Sequence, residues 1–198
     1  LAGVLVKTAS NTEESLNKVN VAFKGSADQI VSFAKTTLDS YGIAEGTALD
    51  MAALYGDMAT SMGLPTSAAA DMSKSLVGLA GDLSSFKNIS IEVANNSLKS
   101  IFTGETESLK SLGIVMTEAN LAAFALSNGV QANIRDMSES EKVTLRYAYV
   151  MDKTANAQGD VERTGGGAAN QTRILQEGLK ELGDSFGSII LPYFTKGI

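Results

Sequence analysis

Apolar residues recur at intervals of three and four along most of the chain, and glycines interrupt this pattern repeatedly. Such spacing places apolar side chains on one face of a helix, whereas a half-buried strand needs strict alternation of apolar and polar residues. Alternation of that kind is brief here and occurs only at 4–6 and 113–116. The pattern predicts helices over residues 10–24, 26–41, 45–62, 66–86, 90–102, 106–112, 117–127 and 138–163, followed by a last amphipathic helix that ends before Pro192. We therefore expect an all-α protein, a compact bundle of about eight or nine short amphipathic helices joined by glycine-containing loops.

Several predicted helices begin with a hydroxyl residue that can cap them. A serine followed three residues later by Glu or Gln has capping-box spacing, in which the two side chains satisfy backbone N–H groups of the first turn. The pairs with this spacing are Ser10 with Glu13, Ser26 with Gln29, and Ser138 with Glu141. Thr117 is expected to cap the helix that follows it.

Residue types inside the predicted helices indicate how the helices pack. Glycine within a helix costs about 1 kcal/mol relative to alanine, so Gly78 and Gly81 predict a close approach of another segment. Met51, Met58 and Met62 share helical spacing, and we interpret them as core residues instead of an adaptable binding groove. The sparse aromatic residues, mostly in phase with the apolar stripes, are interpreted as core as well.

A run of three glycines divides the chain. Gly165, Gly166 and Gly167 are the strongest helix breaker in the sequence, and we predict a hinge there because glycine-rich segments are flexible. A phosphate-binding turn is the alternative, but no predicted strand precedes the glycines and no lysine directly follows them. The predicted organisation is an N-terminal helix at 1–25 that ends a longer upstream region, a helical core at 26–164, the hinge at 165–167 and a C-terminal amphipathic helix at 168–198.

The composition excludes most catalytic chemistry. The chain has no cysteine and no histidine, so it lacks a thiol nucleophile, the commonest general base and the commonest metal ligand. We therefore expect no enzyme activity, no cofactor and no metal.

The net charge of −6, from 16 basic and 22 acidic residues, argues against specific nucleic-acid binding, which needs a basic surface. We expect neither a signal peptide nor an ordinary transmembrane helix, and a first residue other than Met suggests a fragment of a longer protein.

Two stretches of the sequence resemble the signature region of phage tail tape measure proteins. The first is 102–121, FTGETESLKSLGIVMTEANL, and the second is 141–151, EKVTLRYAYVM. Shorter pieces extend the resemblance at 41–43, 56–64, 75–86, 156–160, 163–164 and 169–171. The resemblance covers roughly residues 26–198, and its long motifs are ungapped.

The resemblance implies a non-enzymatic structural component of the tail of a phage, a prophage or a tail-like bacteriocin. Proteins of this family occupy the lumen of the tail tube, set its length during assembly and leave before the DNA at infection. The implied partners are the tail tube protein, the tail assembly chaperones, the tail tip or hub proteins and other copies of the same chain, with contact to the host membrane at ejection. The implied locations are the tail lumen of the virion and, during assembly, the host cytoplasm.

Two alternatives rest on local features of the sequence. A membrane-active segment that helps the genome cross the host envelope is suggested by the charge-free run at 119–134 and the apolar end at 186–194. A cell-wall hydrolase is suggested by paired acids, which would act as general acid and base only in a buried cleft. The pairs are Glu13 with Glu14, Glu105 with Glu107, and Glu139 with Glu141. We interpret them as solvated acids beside helix starts, where a negative charge favours the helix dipole.

Overall fold

The computed structural model describes residues 2–130 and 133–178, with side chains from residue 12 onward. These residues fold into helices and loops, and none of them lies in a β-strand, which confirms the all-α prediction. The α-helices are α1 Ala2–Phe23, α2 Ala27–Ala34, α3 Thr37–Tyr41, α4 Glu45–Ser61, α5 Thr66–Lys87, α6 Ile91–Leu98, α7 Ser100–Thr103, α8 Glu118–Ser127, α9 Glu139–Lys153 and α10 Asp160–Thr164, and the described part of α11 covers 168–178. Short 3-10 helices occur at Lys24–Ser26, Ser108–Leu112 and Ile134–Asp136.

Helix α5 lies at the centre of the bundle. It packs against α4 and α6, α1 packs along α4, and α10 lies against the carboxyl-terminal half of α5. Residues 76–84 of α5 are all buried, as expected for a helix covered on every side. The core is a single cluster that extends from Val19 to Ala157. Its largest fully buried side chains include Tyr55, Phe23, Phe102, Ile30, Ile43, Leu49, Leu76 and Leu83.

The predicted core residues are largely confirmed. Met51 is buried, while Met58 and Met62 are partly buried against the core. Tyr55 is fully buried and its ring stacks on that of Phe102 with 5.8 Å between the centroids. The prediction that the aromatic residues belong to the core is wrong for Phe86, in the last turn of α5. Its ring is 50% exposed, and the ammonium group of Lys87 lies over its face.

The close approach predicted from two glycines of α5 is confirmed. The ring of Tyr41 lies against Gly78, where an added Cβ would be 2.9 Å from the ring carbon Cζ. At Gly81 an added Cβ would be 2.6 Å from the backbone carbonyl oxygen of Tyr41. The end of α3 therefore rests directly on the backbone of α5.

The predicted helix caps have different outcomes. The capping box of Ser138 and Glu141 is confirmed, and the Thr117 hydroxyl accepts the N–H of Asn120 as expected. The box of Ser10 with Glu13 is wrong, because α1 begins at Ala2 and both residues lie inside it. The box of Ser26 with Gln29 is wrong as well. Ser26 directly precedes α2, but it belongs to a 3-10 helix and its side chain makes no capping hydrogen bond. The side-chain oxygen of Gln29 accepts a hydrogen bond from Lys74 instead.

Three predicted helices are divided in the structure. The predicted helix 26–41 becomes α2 and α3, and the predicted helix 90–102 becomes α6 and α7. The predicted helix 138–163 is interrupted by turns at 154–159 and resumes as α10. At the end of this interruption Gly159 has a φ of +74°, a left-handed conformation that ends a right-handed helix.

Replacing Gly81 with alanine is expected to destabilise the fold. The added methyl group meets a backbone carbonyl, so the overpacking cost of about 1–3 kcal/mol exceeds the gain of about 1 kcal/mol in helix propensity. Urea unfolding followed by circular dichroism measures the change in the free energy of unfolding. Gly25→Ala is the control, because no atom lies within 4 Å of a Cβ at that position. Equal stability of the two variants would contradict the prediction.

Candidate functional site

Polar side chains from three helices meet where the carboxyl-terminal half of α5 contacts α10 and α11. We call this cluster the polar junction. It comprises Asp82, Ser84 and Ser85 of α5, Asp160 and Thr164 of α10, and Asn170, Arg173 and Glu177 of α11. Buried polar groups need hydrogen-bond partners, and here the partners come from segments far apart in the sequence.

The carboxylate of Asp82 holds the start of α10 against α5. Asp82 is only 5% exposed and accepts the backbone N–H groups of Gly159 at 2.7 Å and Val161 at 3.1 Å. The first N–H groups of a helix have no partner within the helix, and the residue preceding α10 is a glycine that offers no side chain. A carboxylate from another helix therefore caps α10, with the favourable sign for a helix amino terminus.

The second layer of the junction joins α10 and α11 through hydroxyl and amide groups. The Ser85 hydroxyl donates to the Asp160 carboxylate, and the Asn170 amide donates to the hydroxyl oxygens of Ser85 and Thr164, each at 2.7 Å. Asp160 and Asn170 are both 7% exposed. The side chains thus form one connected network across the turn that contains the three glycines.

Arg173 and Glu177 hold α11 on the bundle. Arg173 Nη1 donates to Ser84 Oγ at 3.0 Å, and the backbone N–H of Ala44 donates to Glu177 Oε2 at 3.3 Å. Burial lowers the pKa of the Arg173 guanidinium, and the carboxylates of Asp160, Glu177 and Asp82 act in the opposite direction. An arginine at this position remains charged at neutral pH, so the surrounding carboxylates stabilise it electrostatically.

A cavity of about 620 Å³ opens beside the polar junction. Asp39, Asp82 and Glu162 line it together with the ring of Tyr41. The pKa of Tyr41 is raised, mainly by burial and further by the charges of Asp82 and Glu162. Among the described residues, no group of three or more histidine, cysteine, aspartate or glutamate side chains is arranged to hold a metal ion. Of these groups, Asp82 accepts hydrogen bonds from the start of another helix, α10.

The three glycines predicted as a hinge form a compact turn between α10 and α11. Gly165 has a right-handed conformation, and the N–H of Gly167 donates to the carbonyl oxygen of Thr164 at 2.8 Å. The turn lies between two helices, and the hinge stays a prediction. The predicted C-terminal helix begins where expected, and its residues beyond 178 lie outside the described ones.

The paired acids are exposed, which confirms their interpretation as solvated groups. Glu14 forms an ion pair with Lys18, and Glu139 forms one with Lys142. One detail is wrong: Glu13 and Glu14 lie in the middle of α1 and not at a helix start. The sequence pattern did not predict the polar junction, although the resemblance includes 75–86, 156–160 and 169–171, which contribute most of it.

Replacing Asp82 with asparagine is expected to lower the free energy of unfolding. An asparagine side chain has one acceptor oxygen, so one of the two backbone N–H groups would face an amide donor; leaving a buried donor unpaired costs about 1–3 kcal/mol. Hydrogen exchange at Gly159 and Val161 should accelerate together with the loss of stability in urea. Asp39→Asn is the control, because Asp39 lines the same cavity but is exposed. Unchanged exchange at both amides would disprove the capping role.

Comparisons with known proteins add no neighbour from which a function could be transferred. No family model, no curated protein and no solved structure matches the chain. The contacts within the bundle and the resemblance in the sequence are therefore the basis for a functional proposal.

Proposed function

We propose that the chain is a non-enzymatic structural module of a phage tail tape measure protein, which occupies the tail tube lumen and sets tail length during assembly. The observation that carries the proposal is the ungapped resemblance in 102–121 and 141–151. Its partners would be the tube protein, the assembly chaperones, the tip or hub proteins and further copies of itself. The all-α fold is compatible with this role.

The two stretches that carry the resemblance lie against each other. The Tyr149 hydroxyl donates to the carbonyl oxygen of Val115 at 2.8 Å. Arg146 donates to the carbonyl oxygens of Ile101 and Phe102, at the end of α7. A cation at that end of a helix interacts favourably with its unpaired carbonyl groups. The resembling residues therefore form a packed unit of the bundle, which supports a shared structural role.

The compact bundle is much shorter than the extended chain. A single unbroken helix of 198 residues would reach about 300 Å. The longest described helices, α1 and α5, have 22 residues each and span about 33 Å. If the module sets length as an extended helix, it must unfold its tertiary structure in the tail. If it remains folded, it contributes less to tail length than the single unbroken helix would.

If this segment sets length as an extended helix, deleting residues 113–163 in frame from the parent gene is expected to shorten the tail by about 75 Å, the length of this segment as a helix. Negative-stain electron microscopy of assembled tails measures the change. Tails of unchanged length that no longer infect would indicate that the segment acts in ejection of the genome and not in setting tail length. Unchanged length together with normal infection would contradict the proposal.

Point variants that keep the number of residues provide the control. Gly81→Ala and Asp82→Asn weaken the bundle without shortening the chain, so tails of normal length are expected from both. Shortened tails from these variants would show that the folded bundle, and not chain length, determines the tail length.

A membrane-active segment is the second candidate, and exposed apolar residues favour it. Leu126 is 67% exposed and Val130 is 38% exposed, both within the charge-poor run. None of the described helices is long and apolar enough to span a membrane, so such a segment would act at the surface or after rearrangement. If this candidate holds, micromolar protein releases dye from liposomes, and Leu126→Glu reduces the release. Absence of leakage from both anionic and neutral liposomes would exclude it.

A further inference from the structure

A groove of about 500 Å³ lies between α8 and α9 and shares no residue with the polar junction. We call it the α8–α9 groove. Its volume is within the range of small-molecule sites, about 300–1,000 Å³. Its lining includes Asn120, Phe124, Asn128, Tyr149, Asp152 and Lys153.

The apolar part of the groove is a pair of aromatic rings. The ring of Phe124 packs edge-on against that of Tyr149, at an angle of 89° with 5.3 Å between the centroids. Tyr149 is buried, and its hydroxyl is bonded to the backbone at Val115, whereas Phe124 is only partly buried. The groove therefore offers part of the Phe124 ring, held in position by a fixed tyrosine.

Two asparagines of the groove are fixed while their side-chain oxygens stay unused. Asn120 Nδ2 donates to the carbonyl oxygen of Val115 at 2.9 Å, and Asn128 Nδ2 donates to that of Phe124 at 2.8 Å. A carbonyl oxygen can only accept, so these bonds determine the orientation of each amide. Within the described part of the chain, neither Oδ1 accepts a hydrogen bond. Both oxygens are therefore preorganised acceptors for a ligand, which lowers the entropic cost of binding.

The charged residues of the groove neutralise each other. Lys153 Nζ donates to Asp152 Oδ2 at 2.8 Å, and the same ammonium lies 5.3 Å from the centre of the Tyr149 ring. These two residues carry the only charges of the lining, so its net charge is zero. The ammonium repels a cationic ligand, while the carboxylate and the amide oxygens repel an anionic one. The groove therefore favours a neutral molecule.

We propose that the α8–α9 groove binds a neutral saccharide. A pyranose ring has an apolar face of C–H groups, which can lie on the negative face of the Phe124 ring. The hydroxyls around its edge can donate to the side-chain oxygens of Asn120 and Asn128, and one can accept from the Lys153 ammonium. A purely apolar ligand would leave these polar groups without partners, at a cost in affinity. The inference does not rest on the proposed function.

Titration of the isotope-labelled full chain with sugars, followed by NMR, tests the proposal. The probes are glucose and N-acetylglucosamine, and open-chain sorbitol is the control because it has hydroxyls but no ring. At least one ring sugar is expected to shift the backbone amide signals of 120–128 and 149–153 in a saturable way, with a millimolar dissociation constant. Sorbitol is expected to leave those signals in place.

Variants of the groove test which side chains take part. Asn128→Ala removes one acceptor and is expected to weaken binding about fivefold, the effect of one hydrogen bond between neutral groups. Phe124→Leu keeps an apolar side chain but removes the flat ring, and a loss of at least similar size is expected. Asn96→Ala is the matched control, because Asn96 is an exposed asparagine of α6 outside the groove. This control should bind as the wild type does.

Circular dichroism checks that the variants are folded. Should Asn128→Ala lose helicity, Asn120→Ala provides a second variant that removes the other amide oxygen, with the same expected weakening.

Three results would overturn the proposal. They are the absence of saturable shifts in the groove with either ring sugar, equal shifts of the same signals with sorbitol, and folded groove variants that bind as tightly as Asn96→Ala. Because no tail is measured in this experiment, each of these results leaves the proposed function to be decided by the tail measurements.

Discussion

Burial of residues 76–84 of α5 on all sides is the constraint on which the rest of the structure depends. A helix surrounded by others allows close contact only where its side chains are small, and Gly78 and Gly81 provide that contact for Tyr41. The same burial makes every polar atom on the helix costly unless it is paired. Asp82 and Ser84 satisfy this requirement with groups from α10 and α11, so the central helix also determines where the carboxyl-terminal helices dock.

The helical core could be predicted from the sequence because its signals are local. The bounds predicted for α4 and α5 differ from those observed by a single residue at one end, since both helices carry broad apolar faces and are bounded by clear breaks. The break at 154–159 was missed because the apolar spacing runs through it. The end of this turn is held by a hydrogen bond from Gly159 to the distant carboxylate of Asp82. No local pattern in the sequence reveals that contact.

The polar junction could not be predicted for a related reason. Aspartate, serine, asparagine and arginine usually lie on the surface, and nothing in their spacing along the chain marks these particular residues as buried. Asp82 is separated from Gly159 by 77 residues, and Ser85 from Asn170 by 85 residues. Only the triple glycine was visible as a break, and it marks the turn between α10 and α11 without showing what surrounds it.

The orientation of α11 follows from its polar contacts with the bundle and not from its apolar periodicity. Apolar periodicity alone would turn Thr172 and Leu175 toward the bundle, yet the observed helix turns Asn170, Arg173 and Glu177 inward. Each hydrogen bond contributes a net stabilisation of only about 1 kcal/mol, somewhat more where a charged group takes part. Apolar contacts add to these hydrogen bonds, because Ile174 is partly buried beside Gly42 and Gly178 lies beside Leu38.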